Sequence, residues 1–446
     1  MSLEENIDRQ IFRLALPAIA EMLLHTLVWT VDTAMVGRLT PADMSGVNLG
    51  ASMMFTIAHI IGAIGVGATA LVARNIGAGD KERAEYIAGL SLSLGTVLAF
   101  IIGVLGIVFT KPIFILIVED QAVIDIGTLY TRIVFIGLFF VIPQFITISV
   151  LRAAGNTVVP MLAALVANTF NIVADYILIF GKFGFPAMGA KGAAIATAGA
   201  QAVGFFICLI YLIKGTHGIK IRKKNLFNFQ RDTLRTLVNL SFPAGLSELL
   251  NEGSRLVSSF WIAGLGTIAF AANSIATAAE SISFMPGFGF AVAATTLVGQ
   301  SLGAGDHDMA RKVAKRCLLF SSVLMGIVAL AFYVFPFYIM RAFSNDIDTV
   351  NLASICIRIA AFEQIPIAVA MTLSGVLKGA GDTKGPYRIS LITNFLVRLP
   401  LIFAIVFLIE GHIAYVWIAT FFQYLVESAL MIYRYKSGNW LYIDIK

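Results

Sequence analysis

The sequence predicts an all-α polytopic membrane protein with twelve transmembrane helices in two six-helix bundles. Three observations lead to this fold class. The 446 residues are 58% hydrophobic and only 13% charged, the chain contains twelve long apolar runs, and its halves share motifs at a constant spacing. Soluble domains carry roughly 25% charged residues, so the composition excludes a soluble fold.

The apolar runs define the predicted spans. A bilayer core about 30 Å thick needs about 20 apolar residues in a helix. We place the spans at residues 11–36, 44–73, 86–109, 127–152, 158–181, 189–213, 235–262, 268–298, 313–337, 351–377, 385–409 and 411–433. The first run is followed by charged and turn residues rather than a small-residue cleavage site, so we expect it to stay in the protein.

Basic residues indicate the orientation, because lysine and arginine concentrate on the cytoplasmic side of membrane proteins. With the spans above, 23 of the 32 lysines and arginines fall at the two termini and in the connections on the same side as the termini, and 7 fall on the opposite side. We therefore expect a multi-pass protein of the cell membrane with both termini in the cytoplasm. Topology explains the net charge of +6, so no nucleic-acid partner is expected.

An internal repeat relates the two halves of the chain at an offset of 226 residues without a gap. It pairs Pro17 with Pro243 and Asp80 with Asp306, and it continues to Asn168 and its counterpart Asn394. Because each copy has an even number of spans, both copies enter the membrane from the same side, as in parallel-repeat transporters. The predicted domains are a first lobe at residues 1–213, a basic cytoplasmic linker at 214–234 and a second lobe at 235–446.

A glycine-acid turn occurs once in each copy, as NIGAGD at residues 75–80 and LGAGD at 302–306. A phosphate-binding loop would follow a strand, whereas the preceding segment is too long and too apolar for one. The pattern is instead typical of glycines that end one helix and an aspartate that caps the next. The turn is also a candidate gate hinge. Its residues are Gly77, Gly79 and Asp80 in the first copy and Gly303, Gly305 and Asp306 in the second.

Polar residues inside the membrane distinguish the two copies, and such residues are costly and usually functional. Asp32 and Asp175 occur in the first lobe only, where the second copy has Ser258 and Leu401. Two further polar positions differ between the copies, since Asn171 corresponds to Val397 and Thr197 to Gln423.

These polar residues are predicted to reach one level in the outer half of the membrane. At 1.5 Å per residue, Asp32 and Asp175 each lie about 26 Å along their spans. Asn168 and Asn171 share a helix face with Asp175. Two close carboxylates in a dry environment are expected to hold a proton or a cation, and oxygen ligands suit a hard cation. Hydrogen bonding between helices is the structural alternative.

The second lobe has its own intramembrane charges. Glu252 and Arg255 lie three residues apart and could neutralise each other. An organic cation would favour acids beside aromatic or thioether groups, and core or lipid-facing packing is the alternative for the apolar ones. The candidates for substrate binding or secondary coupling are Glu248, Glu252, Glu280, Glu363, Met285 and Phe288.

Several motifs together resemble the multidrug and toxic compound extrusion (MATE) transporters. They are VDTAMVGRL at 31–39, the two GAGD turns, LRAAGNTVVP at 151–160 and LKGAGDTKGP at 377–386. The resemblance implies a V-shaped pair of lobes that exports organic compounds in exchange for Na⁺ or H⁺. It further implies a cation site, which takes Na⁺ or H⁺, at Asp32, Asn171, Asp175 and Thr197, with the carbonyl of Ala193 as a fifth oxygen.

The leading hypothesis is thus an efflux antiporter that acts on small organic molecules, contacts the lipid bilayer, works as a monomer and needs no cofactor. A flippase for lipid-linked oligosaccharides is the alternative, although it would favour a more basic cavity for pyrophosphate. The sequence contains no nucleotide-binding loop, Gly-x-Ser-x-Gly motif or metal-binding histidine pair, so an enzyme is not expected. A channel fits a one-lobe acid site less well than exchange does.

Overall fold

The computed structural model describes residues 3–215, 218–409 and 411–445, and two positions of the predicted linker, 216 and 217, lie outside that range. The described part contains eleven helices that are long and apolar enough to cross a membrane. A twelfth helix, at the predicted seventh span, is equally long but more polar. The predicted all-α membrane fold is confirmed.

Seven helices form the first six spans. They are α1 (Leu3–Val36), α2 (Pro41–Gly62), α3 (Ile64–Gly77), α4 (Lys81–Ile117), α5 (Gln121–Ala153), α6 (Val158–Phe180) and α7 (Ala190–Lys214). The second span comprises α2 and α3, which meet at Ala63. A capping box begins α2, because the Thr40 hydroxyl accepts from the backbone N–H of Asp43 and the Asp43 carboxylate accepts from that of Thr40.

The helices of the remaining six spans and of their connections follow in the same order. They are α8 (Arg231–Ala263), α9 (Thr267–Gly303), α10 (His307–Val334), the short α11 (Pro336–Arg341), α12 (Ile347–Gly379), α13 (Lys384–Ile392), α14 (Leu399–Phe403) and α15 (Ile413–Lys436). The eleventh span differs from the others because it contains two π-helical stretches, Thr393–Arg398 and Ala404–Leu408. A π-helical turn inserts an extra residue and is frequent at functional sites.

The described chain divides into two compact units. One contains Met1–Ile19 and Leu246–Ile445, and the other contains Ala20–Gly245. The two breaks fall inside α1 and α8, at positions that the repeat offset of 226 residues makes equivalent. Each unit therefore contains the first part of the other half's first helix, together with the remaining helices of its own half.

The repeat is visible in matching contacts inside each unit. The Thr69 hydroxyl bonds to the carbonyl of Ser149 at 3.3 Å, and Thr295 bonds in the same way to Gly375 at 2.9 Å. These pairs are exact counterparts at the offset of 226 residues. In both units, a threonine thus ties the second span of the repeat to the fourth span.

The two glycine-acid turns have nearly the same geometry. Gly79 has φ +77° and Gly305 has φ +76°, a left-handed conformation that favours glycine. Asp80 accepts from the N–H of Arg83 at 3.0 Å, and Asp306 accepts from that of Met309 at 2.8 Å. The predicted helix stops and N-caps are confirmed, and the gate-hinge role remains a prediction.

Candidate functional site

The first-lobe polar residues are carried by α1, α6 and α7. Asp32 lies near the end of α1, and Asn168, Asn171 and Asp175 follow one face of α6. The apolar sequence of α6 forms a regular helix that ends at Gly181, which has φ +66°. Because α6 packs against α7, the helix that contains Thr197 lies beside this face.

The structure brings the two acids together. The carboxyl groups of Asp32 and Asp175 lie close enough to interact with each other. Asp175 is buried, with 1% of its surface exposed, and Asp32 is half-buried. The Oδ1 atom of each is buried and has no hydrogen-bond partner among the described residues. Two carboxylates in contact repel unless a proton or a cation lies between them, so this pair is a candidate acceptor for either.

The two asparagines supply further unpaired polar atoms beside this pair. Asn171 is 3% exposed, and its Nδ2 atom and that of Asn168 are buried without a hydrogen-bond partner in the described chain. An unsatisfied buried polar group costs about 1–3 kcal/mol. These unpaired N–H donors lie on the same helix face as Asp175, and the oxygen of each amide is the atom that a cation would use.

Tyr130 of α5 also lies at this site, although it is not among the site residues predicted from the sequence. Its hydroxyl lies close enough to Thr197, Asp32 and Asp175 to interact with them. The ring fits against α2 because position 50 is glycine, where a Cβ atom would come within 2.8 Å of the tyrosine ring. A comparison of polar residues of every type between the two copies would have selected Tyr130, because its counterpart is Cys356. Ala193 is buried one helical turn before Thr197.

The donor set combines two carboxylates with neutral amide and hydroxyl groups. Among the described residues, no group of three or more His, Cys, Asp or Glu side chains could hold a metal ion. A site for a multivalent transition metal is thus not supported by the part of the chain that the structure describes. The oxygen donors suit a hard cation.

A second buried carboxyl pair lies in the other unit. Glu280 of α9 and Glu363 of α12 are 7% and 0% exposed, and their carboxyl groups interact. Both Glu363 oxygens lack a hydrogen-bond partner among the described residues. Arg398, in the first π-helical stretch, acts electrostatically on both acids and on Glu427 of α15. Glu427 accepts a hydrogen bond from Gln423 at 2.8 Å.

The other second-lobe candidates have different environments. Glu252 forms an ion pair with Arg255 at 3.3 Å, and both side chains are about half exposed. Glu248 lies 3.8 Å from the ammonium of Lys378. Met285 is buried and Phe288 is half-buried on α9. Glu280 and Glu363 are thus the two predicted second-lobe acids that the structure buries together.

Comparison with known proteins adds three results. The MatE family profile matches residues 17–177 and 243–404, two segments whose starting positions differ by the repeat offset. A relative described as probable multidrug resistance protein NorM, from Thermotoga maritima, is 30% identical over 98% of this chain and 93% of its own length. The probable multidrug resistance protein YoeA of Bacillus subtilis is 25% identical over 98% of this chain and 94% of its own length.

Solved structures have the same fold. A MATE protein crystallised in complex with MaL6 superposes with a TM-score of 0.90 at 20% identity, with 97% of each chain covered. A transporter of the MOP superfamily from Pyrococcus furiosus superposes with a TM-score of 0.89 at 20% identity, over 98% of this chain and 97% of that one. At this level of identity the likeness establishes the fold and no more.

Proposed function

Because the chain belongs to the MatE family of multidrug efflux transporters, we propose that it is a secondary active antiporter that exports organic, often cationic compounds in exchange for Na⁺ or H⁺. The observation that carries this proposal is the proximity of Asp32 and Asp175. The pair occurs in one copy of the repeat only, so it is an addition to the duplicated scaffold rather than a requirement of the fold.

The proposed coupling site consists of Asp32, Asn171, Asp175 and Thr197, with Asn168 and the Ala193 carbonyl beside them. Na⁺ would take the carboxylate, amide and hydroxyl oxygens, and a proton would bind between the two carboxyl groups. Either ion removes the repulsion between the acids, so its arrival changes the stability of the arrangement of α1 against α6. A transporter couples two fluxes when ion binding favours one conformation over the other.

The driving force is sufficient for export. One charge that moves through 100 mV supplies about 2.3 kcal/mol, and about 1.4 kcal/mol corresponds to a tenfold concentration ratio. For a neutral substrate, one coupling ion can therefore sustain an outward gradient of roughly fifty-fold; for a monovalent cation, one-for-one exchange is electroneutral and the concentration gradient of the coupling ion supplies the energy. No cofactor or enzymatic step is required by this proposal, in which the substrate is a small organic molecule.

In the second lobe, we assign substrate binding or secondary coupling to the buried pair Glu280 and Glu363. Their uncompensated carboxyl oxygens support this role, and Met285 and Phe288 are candidates for the adjoining apolar surface. Glu248 and Glu252 are weaker candidates because each already has a basic partner within 4 Å. The two proposed lobes are residues 1–213 and 235–446, and residues 214–234 link them. The proposed protein is a monomer in the cell membrane with both termini in the cytoplasm.

The test is efflux of a fluorescent lipophilic cation from proteoliposomes, driven separately by a Na⁺ gradient and by a pH gradient. We expect one gradient to drive efflux, and we expect Asp32→Asn and Asp175→Asn each to abolish it. The matched control is Asp125→Asn, which changes an exposed aspartate of α5 that is bonded only locally to Gln121. Undiminished efflux in both site variants would refute the first-lobe site.

A further inference from the structure

A basic cavity lies beside the first turns of α10, outside both carboxyl pairs. It has a volume of ≈ 290 Å³ and is lined by Ile7, Lys312, Lys315, Arg316 and Leu319. All of these residues belong to the same compact unit. The three basic side chains follow one face of α10 at i, i+3 and i+4 spacing, so they are neighbours along the cavity.

The repeat shows how unusual this surface is. The counterparts of Lys312, Lys315 and Leu319 on α4 are Tyr86, Gly89 and Ser93, none of them charged. In that unit, the chain after α7 covers the same face of the helix. Asn225 packs so closely that a Cβ atom at Gly89 would lie 2.8 Å from its carbonyl oxygen.

Hydrogen bonds fasten this cover to α4. The Tyr86 hydroxyl donates to the carbonyl of Asn228 at 2.9 Å, and the Ser93 hydroxyl accepts from the N–H of Phe227 at 2.9 Å. An ion pair between Glu85 and Arg222 adds to them at 2.9 Å. One copy of the repeat thus fills this face with its own chain, whereas the described residues of the other copy leave a positively charged cavity there.

The charge in the cavity is only partly compensated. Asp8 lies 3.7 Å from Arg316 and offsets one of the three positive charges. Lys312 and Lys315 are exposed, and no ion pair involving either is found in the described part of the chain. An excess of two positive charges therefore faces the cavity, which favours an anionic occupant.

An apolar track continues from the cavity along α10. Leu319, Val323 and Ile327 are spaced by one helical turn and are 51%, 54% and 60% exposed. Phe12 and Leu16 of α1, in the same unit, are also exposed. In a membrane protein, an outward apolar row of this kind contacts acyl chains. The cavity thus presents cations at one end and a hydrocarbon-binding surface at the other.

We propose that this cavity binds the phosphate headgroup of an anionic phospholipid, with its acyl chains along Leu319, Val323 and Ile327. Lys312 and Lys315 contact the phosphate oxygens, and the apolar track supplies the remaining binding energy. A free phosphate ion would use the same cations but would gain nothing from the apolar row. The site lies on the side that the basic residues assign to the cytoplasm, where anionic headgroups attract lysine and arginine.

The experiment is native mass spectrometry of the delipidated full-length protein in a neutral detergent. The probes are dioleoyl phosphatidylglycerol, dioleoyl phosphatidylcholine and glycerol phosphate, each titrated separately. We expect one phosphatidylglycerol to bind preferentially, and we expect K312Q/K315Q to weaken that binding roughly ten-fold or more. The charge-preserving variant K312R/K315R should retain it.

The matched control is K223Q/K224Q, which removes the same two charges from the chain that follows α7. This control should bind phosphatidylglycerol like the unmodified protein. Equal binding by K312Q/K315Q, or equal binding of the two lipids, would overturn the proposal. Glycerol phosphate that binds as tightly as the lipid would instead assign the cavity to a free phosphate. Size-exclusion profiles of all variants establish that each is folded, which the exposure of these lysines leads us to expect.

Discussion

Glu21 and Arg152 form an ion pair at 2.8 Å, with the glutamate side chain 2% and the arginine side chain 15% exposed. The corresponding positions of the second copy are Ser247 and Lys378. There, the lysine instead pairs with Glu248, one residue later, at 3.8 Å and with 40% of the glutamate side chain exposed. Both copies therefore connect the first span of the repeat to the end of the fourth span by an ion pair, but only the first copy buries it.

We predict that Glu21→Gln destabilises the protein by about 3–5 kcal/mol, because it removes the charged partner from a largely buried ion pair. Glu248→Gln should cost about 0–1 kcal/mol, since its pair is half exposed. The measurement is the thermal unfolding midpoint of the detergent-solubilised protein. The double variant E21M/R152M removes both charges and should be more stable than Glu21→Gln. A double variant that is less stable than the single one would show that packing rather than charge controls this site.

The sequence predicts part of the candidate site because charges are rare within membrane spans. Asp32 and Asp175 differ from their repeat counterparts in charge, so the comparison of the two copies selects them directly. A comparison of charge between the two copies does not select Tyr130, because its hydroxyl is neutral and an aromatic ring is common in membrane helices. The proximity of Glu280 and Glu363 also cannot be predicted from residue spacing, since it depends on how two helices rotate against each other.

For the fold, too, the sequence predicts the features that depend on a few adjacent residues and misses those that depend on distant ones. Apolar length specifies the spans, and glycine followed by aspartate specifies both N-capped turns, because these are properties of a few adjacent residues. The π-helical stretch that contains Arg398 has no such signal. One added residue rotates the following side chains by about 100°, and the neighbouring helices decide whether that rotation is tolerated.

Tyr130 provides a test of the coupling site that leaves its acids unchanged. Tyr130→Phe removes the hydroxyl that lies close to Thr197 but keeps the ring that packs on α2. We expect weaker affinity for the coupling ion, by roughly five- to ten-fold, since one net hydrogen bond is worth about 1 kcal/mol. The check is the ion concentration that gives half-maximal efflux. The matched control is Tyr176→Phe on α6, an exposed tyrosine that should leave this concentration unchanged.

Arg398 tests the second carboxyl pair. Arg398→Gln removes the positive charge that acts on Glu280 and Glu363, so we expect tighter binding of a cationic substrate and weaker binding of a zwitterionic one. Binding titrations with a matched pair of such dyes measure the two changes. Arg358→Gln is the control, because that arginine of α12 is exposed. Parallel changes in both affinities would argue against an electrostatic role for Arg398.

The duplicated turns allow the hinge hypothesis to be separated from simple capping. Asp80→Ala and Asp306→Ala remove equivalent N-caps, and each should destabilise its helix by about 1 kcal/mol. If capping is the only role, the two variants will lose stability equally and keep the transport rate of the unmodified protein. A hinge role predicts a slower rate of efflux at an unchanged half-maximal ion concentration. The efflux rate and the half-maximal ion concentration, measured in the same proteoliposomes, distinguish these outcomes. A changed preference between Na⁺ and H⁺ in either variant would contradict both hypotheses, because the turns lie far along the chain from the carboxyl pair.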